Sequence, residues 1–238
     1  MEAGLSLVIM RFLKPNGERC TLFIATVTCI RRMELVRLPC IQTSIAEILT
    51  STASKGRGLH DFVVDRGGRD HPNASVDFKL GDVITTVIRT QNEESIIVSH
   101  DTNLPRPYSL GFRVQGTNGL WMDINRSLYI QGVSPAHRWE DAAPYLEKYD
   151  HPLWKKYADK ATGSGHGGMD FFVDHAFVES VKRGVDTPLD AYDAAAWSAI
   201  SPLSEASISA GNAPQDFPDF TRGMWMKRKP VFALGDEY

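Results

Sequence analysis

Between Val76 and Gln91 the sequence VDFKLGDVITTVIRTQ alternates, with Val83, Thr85, Val87 and Arg89 on one face and Ile84, Thr86 and Ile88 on the other. A period of two in β-branched residues is the pattern of a strand, because successive side chains leave a pleated backbone on opposite sides. Similar runs follow at SIIVSHD, YSLGFRVQG, LWMDI and RSLYIQG, with short turns such as NEE and TNG among the links, and ILTSTAS precedes them. Short links favour antiparallel neighbours, so these strands read as a meander. KGRGLHDFVVDRGGRDHPN, between the first two runs, holds four glycines and a proline and reads as a loop.

Beyond Gly132 the period becomes helical. His137–Ala161 reads as short helical pieces broken at Pro144 and Pro152. In GMDFFVDHAFVESVKRG the apolar residues Met169, Phe172, Val173, Ala176, Phe177 and Val181 recur at helical spacing, and Lys182, Arg183 and then Gly184 form a C-terminal signal. Asp190 is an N-cap for LDAYDAAAWSAI. SPLSEASISAG reads as a fresh helix, with Ser201 as cap, Pro202 at its first position and Gly211 closing it. The aromatic, Pro-rich tail from Asn212 reads as a surface wrap, and Trp139, Trp154, Trp197 and Trp225 as core residues. Strands followed by helices make an α+β plan: a mainly antiparallel open sheet with helices packed on one face.

Composition narrows the function classes. The 238 residues carry a net charge of −3 and 42% hydrophobic content, an ordinary globular balance. Lys and Arg form no cluster, so nucleic acid is not an expected partner. The longest apolar candidate, Cys20–Ile30, is far shorter than the ~20 residues that cross a bilayer and is rich in Thr, so no membrane span is expected. The N-terminus lacks a basic leader and a small-residue cleavage site, so no signal peptide is read there. Cys20, Cys29 and Cys40 fit no zinc spacing and no complete disulfide set. All of them precede residue 41, and residues 1–48 show no clean period, so a boundary is placed at 48/49.

Two stretches carry chemistry. HDTNLPRPYS, His100–Ser109, joins two strand-like runs, and Pro105 and Pro107 stiffen it by fixing φ. A stiff loop holds Arg106, a forked donor, and Tyr108, a hydrogen-bonding aromatic face. The competing reading is a packed turn in which Asp101 caps backbone groups. GSGHGGMDFF places His166 among glycines just before a helix, where it serves either as a general base of lowered pKa or as a cap. Asp170 falls in that helix's first turn. His175 and Glu179, four apart, read as a solvated ion pair rather than a metal site.

The strings LGDVITTVIRT, SHDTNLPRPYSLGFRVQGTNGLW, EDAAPYLEKYDHPLWKKY, GHGGMDFF and PDFTRGMW, in that order, resemble the C-terminal half of glycoside hydrolase family 109 from about Leu49 to Tyr238. These are NAD-dependent α-N-acetylgalactosaminidases of the glucose–fructose oxidoreductase/inositol dehydrogenase (Gfo/Idh/MocA) superfamily. The resemblance implies a redox glycosidase acting on an N-acetylgalactosamine-containing glycan: oxidation at C3, elimination of the aglycone, water addition and re-reduction. It implies Tyr108, with Arg106, as substrate-binding residues, and His166 and Asp170 as catalytic candidates. It also implies a domain that serves oligomerisation, with a homo-oligomer formed through the sheet. Bacterial cytoplasm and export are both compatible with the family.

The departures are as informative. The family's N-terminal Rossmann domain, its Glu-Lys-Pro segment and its Tyr-Pro-Thr-His-Gly-Leu-Gly-Pro segment have no counterpart here. The expectation is therefore an unmatched segment 1–48, from a truncated or frame-disrupted gene, followed by a substrate and oligomerisation domain at 49–238. No NAD-binding site is expected in this chain, and no activity from it alone. The alternatives are a carbohydrate-binding or interaction module without chemistry, and half of a Gfo/Idh/MocA sugar oxidoreductase.

Overall fold

The computed structural model describes residues 7–11, 46–101, 103–107, 111, 113–149, 151–165 and 168–227. A nine-stranded sheet organises them. Its strands in chain order are β1 (Leu7–Arg11), β2 (Ala46–Ala53), β3 (Val83–Thr90), β4 (Ser95–Asp101), β5 (Arg113–Gly116), β6 (Gly119–Met122), β7 (Ser127–Ile130), β8 (Glu140–Asp141) and β9 (Gln215–Asp216). The helices are α1 (Gly58–Gly67), α2 (Ala143–Tyr149), α3 (Pro152–Ala161), α4 (Met169–Arg183) and α5 (Ala191–Ser209), with a final 3-10 turn at Met224–Lys227.

The α+β plan holds, and its meander needs one correction. The order across the sheet is β8-β7-β6-β5-β1-β4-β3-β2-β9, so β4 and β5 are not neighbours. Strand β1 lies between them, antiparallel to β4 and parallel to β5. The connection through residues 102–112 must therefore step over one strand, about 10 Å at two inter-strand spacings. That separation excludes a hairpin between β4 and β5.

One row of positions crosses the sheet and marks its core. Leu49 pairs with Ile88 and Ile88 with Ile96, while farther along Val114, Trp121 and Leu128 are in register. Leu49, Ile88, Ile96, Val114 and Leu128 are all buried. On the opposite face Val87 is 45% exposed, so among the described residues nothing covers the sheet there.

Helix α5 covers the core face beside β2 through a polar seam. Ser51 Oγ and Thr86 Oγ1 lie 2.7 Å apart, and Thr86 Oγ1 lies 3.0 Å from Ser204 Oγ. The backbone N–H of Ser51 donates to Ser207 Oγ at 2.9 Å, satisfying a strand group beyond the reach of the short β9 pairing.

Local signals met mixed fates. Asp190 caps α5 by accepting from the amides of Tyr192 and Asp193, and Asp193 returns a bond to Asp190 N–H. Gly184 ends α4 in the left-handed conformation at φ 63°. The helix expected to restart at Ser201 does not: α5 runs through Pro202 without a break. Proline there removes one intrahelical bond, and the burial of Ser204 and Ser207 against β2 and β3 holds the following turns in place. Pro144 and Pro152 begin helices α2 and α3 rather than breaking them, as expected of proline in a first turn.

Residues 58–67, read as loop, form helix α1. This helix buries no residue, so apolar period could not reveal it. The buried carboxylate of Asp82 holds its start, accepting from Arg57 N–H at 2.9 Å and Gly58 N–H at 2.8 Å.

Candidate functional site

The stiff loop is anchored at its base. A Cβ on Gly58 would collide with the Asn103 carbonyl oxygen, so the loop rests directly on the first turn of α1. Asn103 Nδ2 donates to Gly81 O at 3.4 Å. Gly81 and Asp82 start the run into β3, so one buried carboxylate organises both the helix and the seat of the loop. Sequence reasoning missed this knot of Gly58, Asp82 and Asn103. The only available signal was an Asp beside a Gly ahead of a strand.

Arg106 and Asp101 are brought together. Arg106 Nε lies 3.0 Å from Asp101 Oδ2, and the guanidinium also donates to the carbonyls of Asp101 and Pro107. The arginine thus clasps the two arms of the loop and sets the approach to residue 108. Tyr108 itself lies outside the described residues.

The glycine-rich turn belongs to a second unit, the pair α3–α4. Leu153, Ala161 and Phe172 form its buried core, with Trp154, Tyr157 and Phe171 against it. The rings of Trp154 and Phe172 are 5.1 Å apart. Gly168 caps α4 at φ 106°, and a Cβ on it would sit 3.1 Å from Trp154 Cη2 and 3.2 Å from Ala161 Cβ. Only glycine meets both conditions. Asp170 lies in the first turn of α4, its carboxylate against Gly165, where any side chain would strike it. His166 lies outside the described residues.

Neighbouring titratable groups follow local physics. His175 packs between Tyr157 and Phe171, at ring distances of 4.7 and 5.0 Å. Burial lowers its pKa, with Glu179 opposing that shift and nearby lysines reinforcing it. His175 is coupled electrostatically to Glu179 as well as packed in the aromatic cluster, and Glu179 Oε1 is also 2.9 Å from Lys182 Nζ. His151 is buried as the N-cap of α3, its Nδ1 accepting from Leu153 N–H at 3.1 Å. In the PDFTRGMW stretch Asp219 accepts from Thr221 Oγ1, Thr221 N–H and Gly223 N–H. The Thr221 hydroxyl, together with those amides, holds the Asp219 carboxyl below its ordinary value.

A dinucleotide's pyrophosphate is held best by the free amides of a helix N-terminus after a strand. The strand–glycine–helix turn from β2 into α1 is the natural place to look. Its first amides are already filled by the Asp82 carboxylate, so a pyrophosphate would meet a buried anion there. Among the described residues no three His, Cys, Asp or Glu side chains converge to hold a metal, and no helix is long and apolar enough to cross a membrane.

At the far end of β5 lies a groove of about 540 Å³. Gln115, Leu120 and Tyr129, a cross-strand row on the sheet face opposite Val114, form its floor. His137, Arg138 and Trp139 form its wall. Trp139, expected in the core, is instead 48% exposed, because the chain leaves the sheet at Gln131 and returns only at β8. Trp154 does pack in the core as expected.

Comparison with known proteins supplies the family. The model for glycosyl hydrolase 109, C-terminal domain, matches residues 41–227. A glycosyl hydrolase family 109 protein of Stenotrophomonas maltophilia is 54% identical over 191 residues, 80% of this chain and 42% of the relative. A protein of Tannerella forsythia named alpha-N-acetylgalactosaminidase is 55% identical over 186 residues, 78% of this chain and 40% of the relative. The chain thus spans about two fifths of the length of these relatives. In fold it is similar to levoglucosan dehydrogenase in complex with NADH and L-sorbose, with a TM-score of 0.50 and 16% identity over 92% of this chain and 60% of that one. With most of its length matched by one family model, including both the anchored loop and the glycine-rich turn, the chain belongs to glycosyl hydrolase family 109 as its C-terminal domain.

Proposed function

We propose that this chain forms the sugar-facing wall of an NAD-dependent α-N-acetylgalactosaminidase and is inactive by itself. The observation that carries this reading is the loop at 101–107, clasped by Arg106–Asp101 and seated on Gly58, which holds the chain leading into Tyr108. Tyr108 contacts the terminal N-acetylgalactosamine, and Arg106 acts by keeping the loop in place. Asp170 fixes the turn that carries His166, the remaining catalytic candidate. NAD belongs to the other part of such an enzyme, since the amides at the start of α1 are already taken by Asp82. The family match begins at residue 41, so the segment foreign to the family enzyme is confined to residues 1–40, and the chain associates with its own copies through the open sheet face.

The test is turnover of a chromogenic α-N-acetylgalactosaminide, with NAD binding followed by calorimetry. The chain alone is expected to give neither, and to release the chromophore when supplied with the N-terminal part of a family relative. NAD binding and turnover by the isolated 238 residues would overturn the reading. Oxidation of a free sugar without glycoside cleavage, in the complemented pair, would favour a sugar oxidoreductase instead.

A further inference from the structure

Helix α4 uses one of its sides and leaves another apolar. Its buried Phe172 and the half-buried Phe171 and His175 pack against Trp154 and Tyr157 of α3. On the neighbouring side Val173, Phe177 and Val181 recur every four residues, so they stand one above another in a straight row. They are 59%, 61% and 63% exposed. The row continues past the end of the helix. Gly184 N–H donates to Val181 O and Val185 N–H to Ser180 O, which folds the chain over the last turn and fixes Val185 there, 51% exposed. Among the described residues nothing covers this surface.

Single exposed apolar residues are ordinary, but a contiguous row on one rigid helix is not. A helix side that faces water carries charged and polar residues. Phe177 alone leaves roughly 90–150 Å² in water, taking about 150–250 Å² for a fully packed Phe. With three valines beside it the patch reaches the order of a few hundred Å², the size that marks an interaction site.

The surroundings choose the occupant. Helices that lie on a lipid surface set Lys and Arg beside their apolar side. Here Asp170 and Asp174 border the row, and Lys182 falls on another side of the helix, bonded to Glu179. Association between copies of the chain is assigned to the open sheet face, which is a different surface. The relatives supply the remaining partner. The match covers 42% of one and 40% of the other, so about three fifths of each relative shares a chain with this domain and lies outside it. The matching model is that of a C-terminal domain, so the remaining part precedes it.

We infer that Val173, Phe177, Val181 and Val185 form the surface on which the N-terminal part of the family enzyme docks. Asp170 lies on the same side of α4, one turn ahead of Val173 and Asp174. A surface that covers the row therefore reaches the glycine-rich turn, which lies at the junction of the two parts. The inference rests on the family and on this helix surface, and not on the glycosidase reading.

The test reads one double substitution, Phe177→Ser with Val181→Ser, in two settings. Serine has about the helix propensity of Phe and Val, so in the 238-residue chain the melting temperature is expected to move by no more than about 2 °C. The second setting is the intact Stenotrophomonas maltophilia relative carrying residues 169–185 of this chain. There the same pair is expected to lower the melting temperature by about 5 °C or more, because the two side chains are buried. Hydroxyl-radical footprinting is expected to label Phe177 in the 238-residue chain and to find it protected severalfold in the intact relative. Sedimentation of the 238-residue chain is expected to give the same association state with and without the substitutions. If the grafted relative fails to fold, the 238-residue chain mixed with the separate N-terminal part carries the test, and F177S/V181S is expected to weaken their association about tenfold or more. Protection of Phe177 already in the free chain, equal labelling in both settings, or no change on substitution in the intact relative would overturn the inference. So would self-association or binding to phosphatidylglycerol vesicles that the double variant abolishes. Turnover is not a readout here: an intact protein that protects Phe177 and cleaves no galactosaminide refutes the glycosidase reading and not the docking surface.

Discussion

Replacing Gly168 by alanine separates the structural role of the glycine-rich turn from any chemistry around it. Gly168 sits at φ 106°, outside the comfortable range of an L-residue, and the new methyl would lie 3.1 Å from Trp154 Cη2 and 3.2 Å from both Ala161 Cβ and its carbonyl oxygen. Holding a non-glycine residue in such a conformation costs about 1–3 kcal/mol. Forcing a methyl into a packed junction adds about 1–3 kcal/mol, because the indole is already held against Phe172. The expected loss is roughly 4 kcal/mol, and at about 2–4 °C per kcal/mol for a chain of this size the melting temperature falls by about 8–16 °C. Gly163 is the control: at φ 88° with nothing within 4 Å of its built Cβ, it carries strain without packing. G163A should lose only about 1–2 kcal/mol, near the low end of the same strain range. Both variants are measured by thermal melts followed in the far- and near-ultraviolet, where the Trp154 environment reports on the junction. A G168A protein that melts with the wild type would refute the reasoning. Equal losses in G168A and G163A would refute its packing half.

Other outcomes follow from the same geometry. Asp82→Ala removes the acceptor for Arg57 and Gly58 N–H and should cost about 1–2 kcal/mol while raising hydrogen exchange at the start of α1 and in residues 103–107; exchange confined to the helix would refute the shared anchor. Ser207→Ala strands the Ser51 amide beside a buried seam and should cost about 1–3 kcal/mol in a denaturant titration, whereas a neutral result would show another group reaching that amide. The pKa of His175 lies below the ordinary imidazole value of 6.5, so the unfolded chain takes up the proton first. Its contribution is complete above 6.5 and falls as the pH drops from there toward the folded pKa. Melting temperature should therefore decline between pH 7.5 and 5.5, and His175→Phe should flatten that decline. The Asp219 carboxyl, held low by Thr221 and Gly223, contributes fully above its ordinary value of 3.8 and loses that contribution as the pH falls from there toward its folded pKa, so the cost of Asp219→Asn should shrink as the pH is lowered below 3.8.

The parts legible in the sequence share one property: their causes are local. Alternation places β3 and β4, because a period of two needs no knowledge of the neighbouring strand. Asp190 and Gly184 mark helix ends because a cap acts over three or four residues. The order of the motifs, with Tyr108 after paired prolines and Asp170 after the glycine cluster, names the family. What tertiary structure decided depends on contacts far apart in the chain. No local pattern places Leu7–Arg11 between β4 and β5, yet that pairing converts the Pro-rich connection from a turn into a crossing loop. Helix α1 buries nothing and exists through a carboxylate at residue 82, so its own residues could not announce it. Pro202 looks like a start by its own chemistry and is an interior residue because the two serines after it are held against β2 and β3. Trp139 has the composition of a core residue and becomes a groove wall because Ser134 and Tyr145 converge on Glu140 and keep its segment off the sheet. Periodicity and caps are properties of a chain segment, while strand order, anchoring and exposure belong to surfaces that form only once distant segments meet.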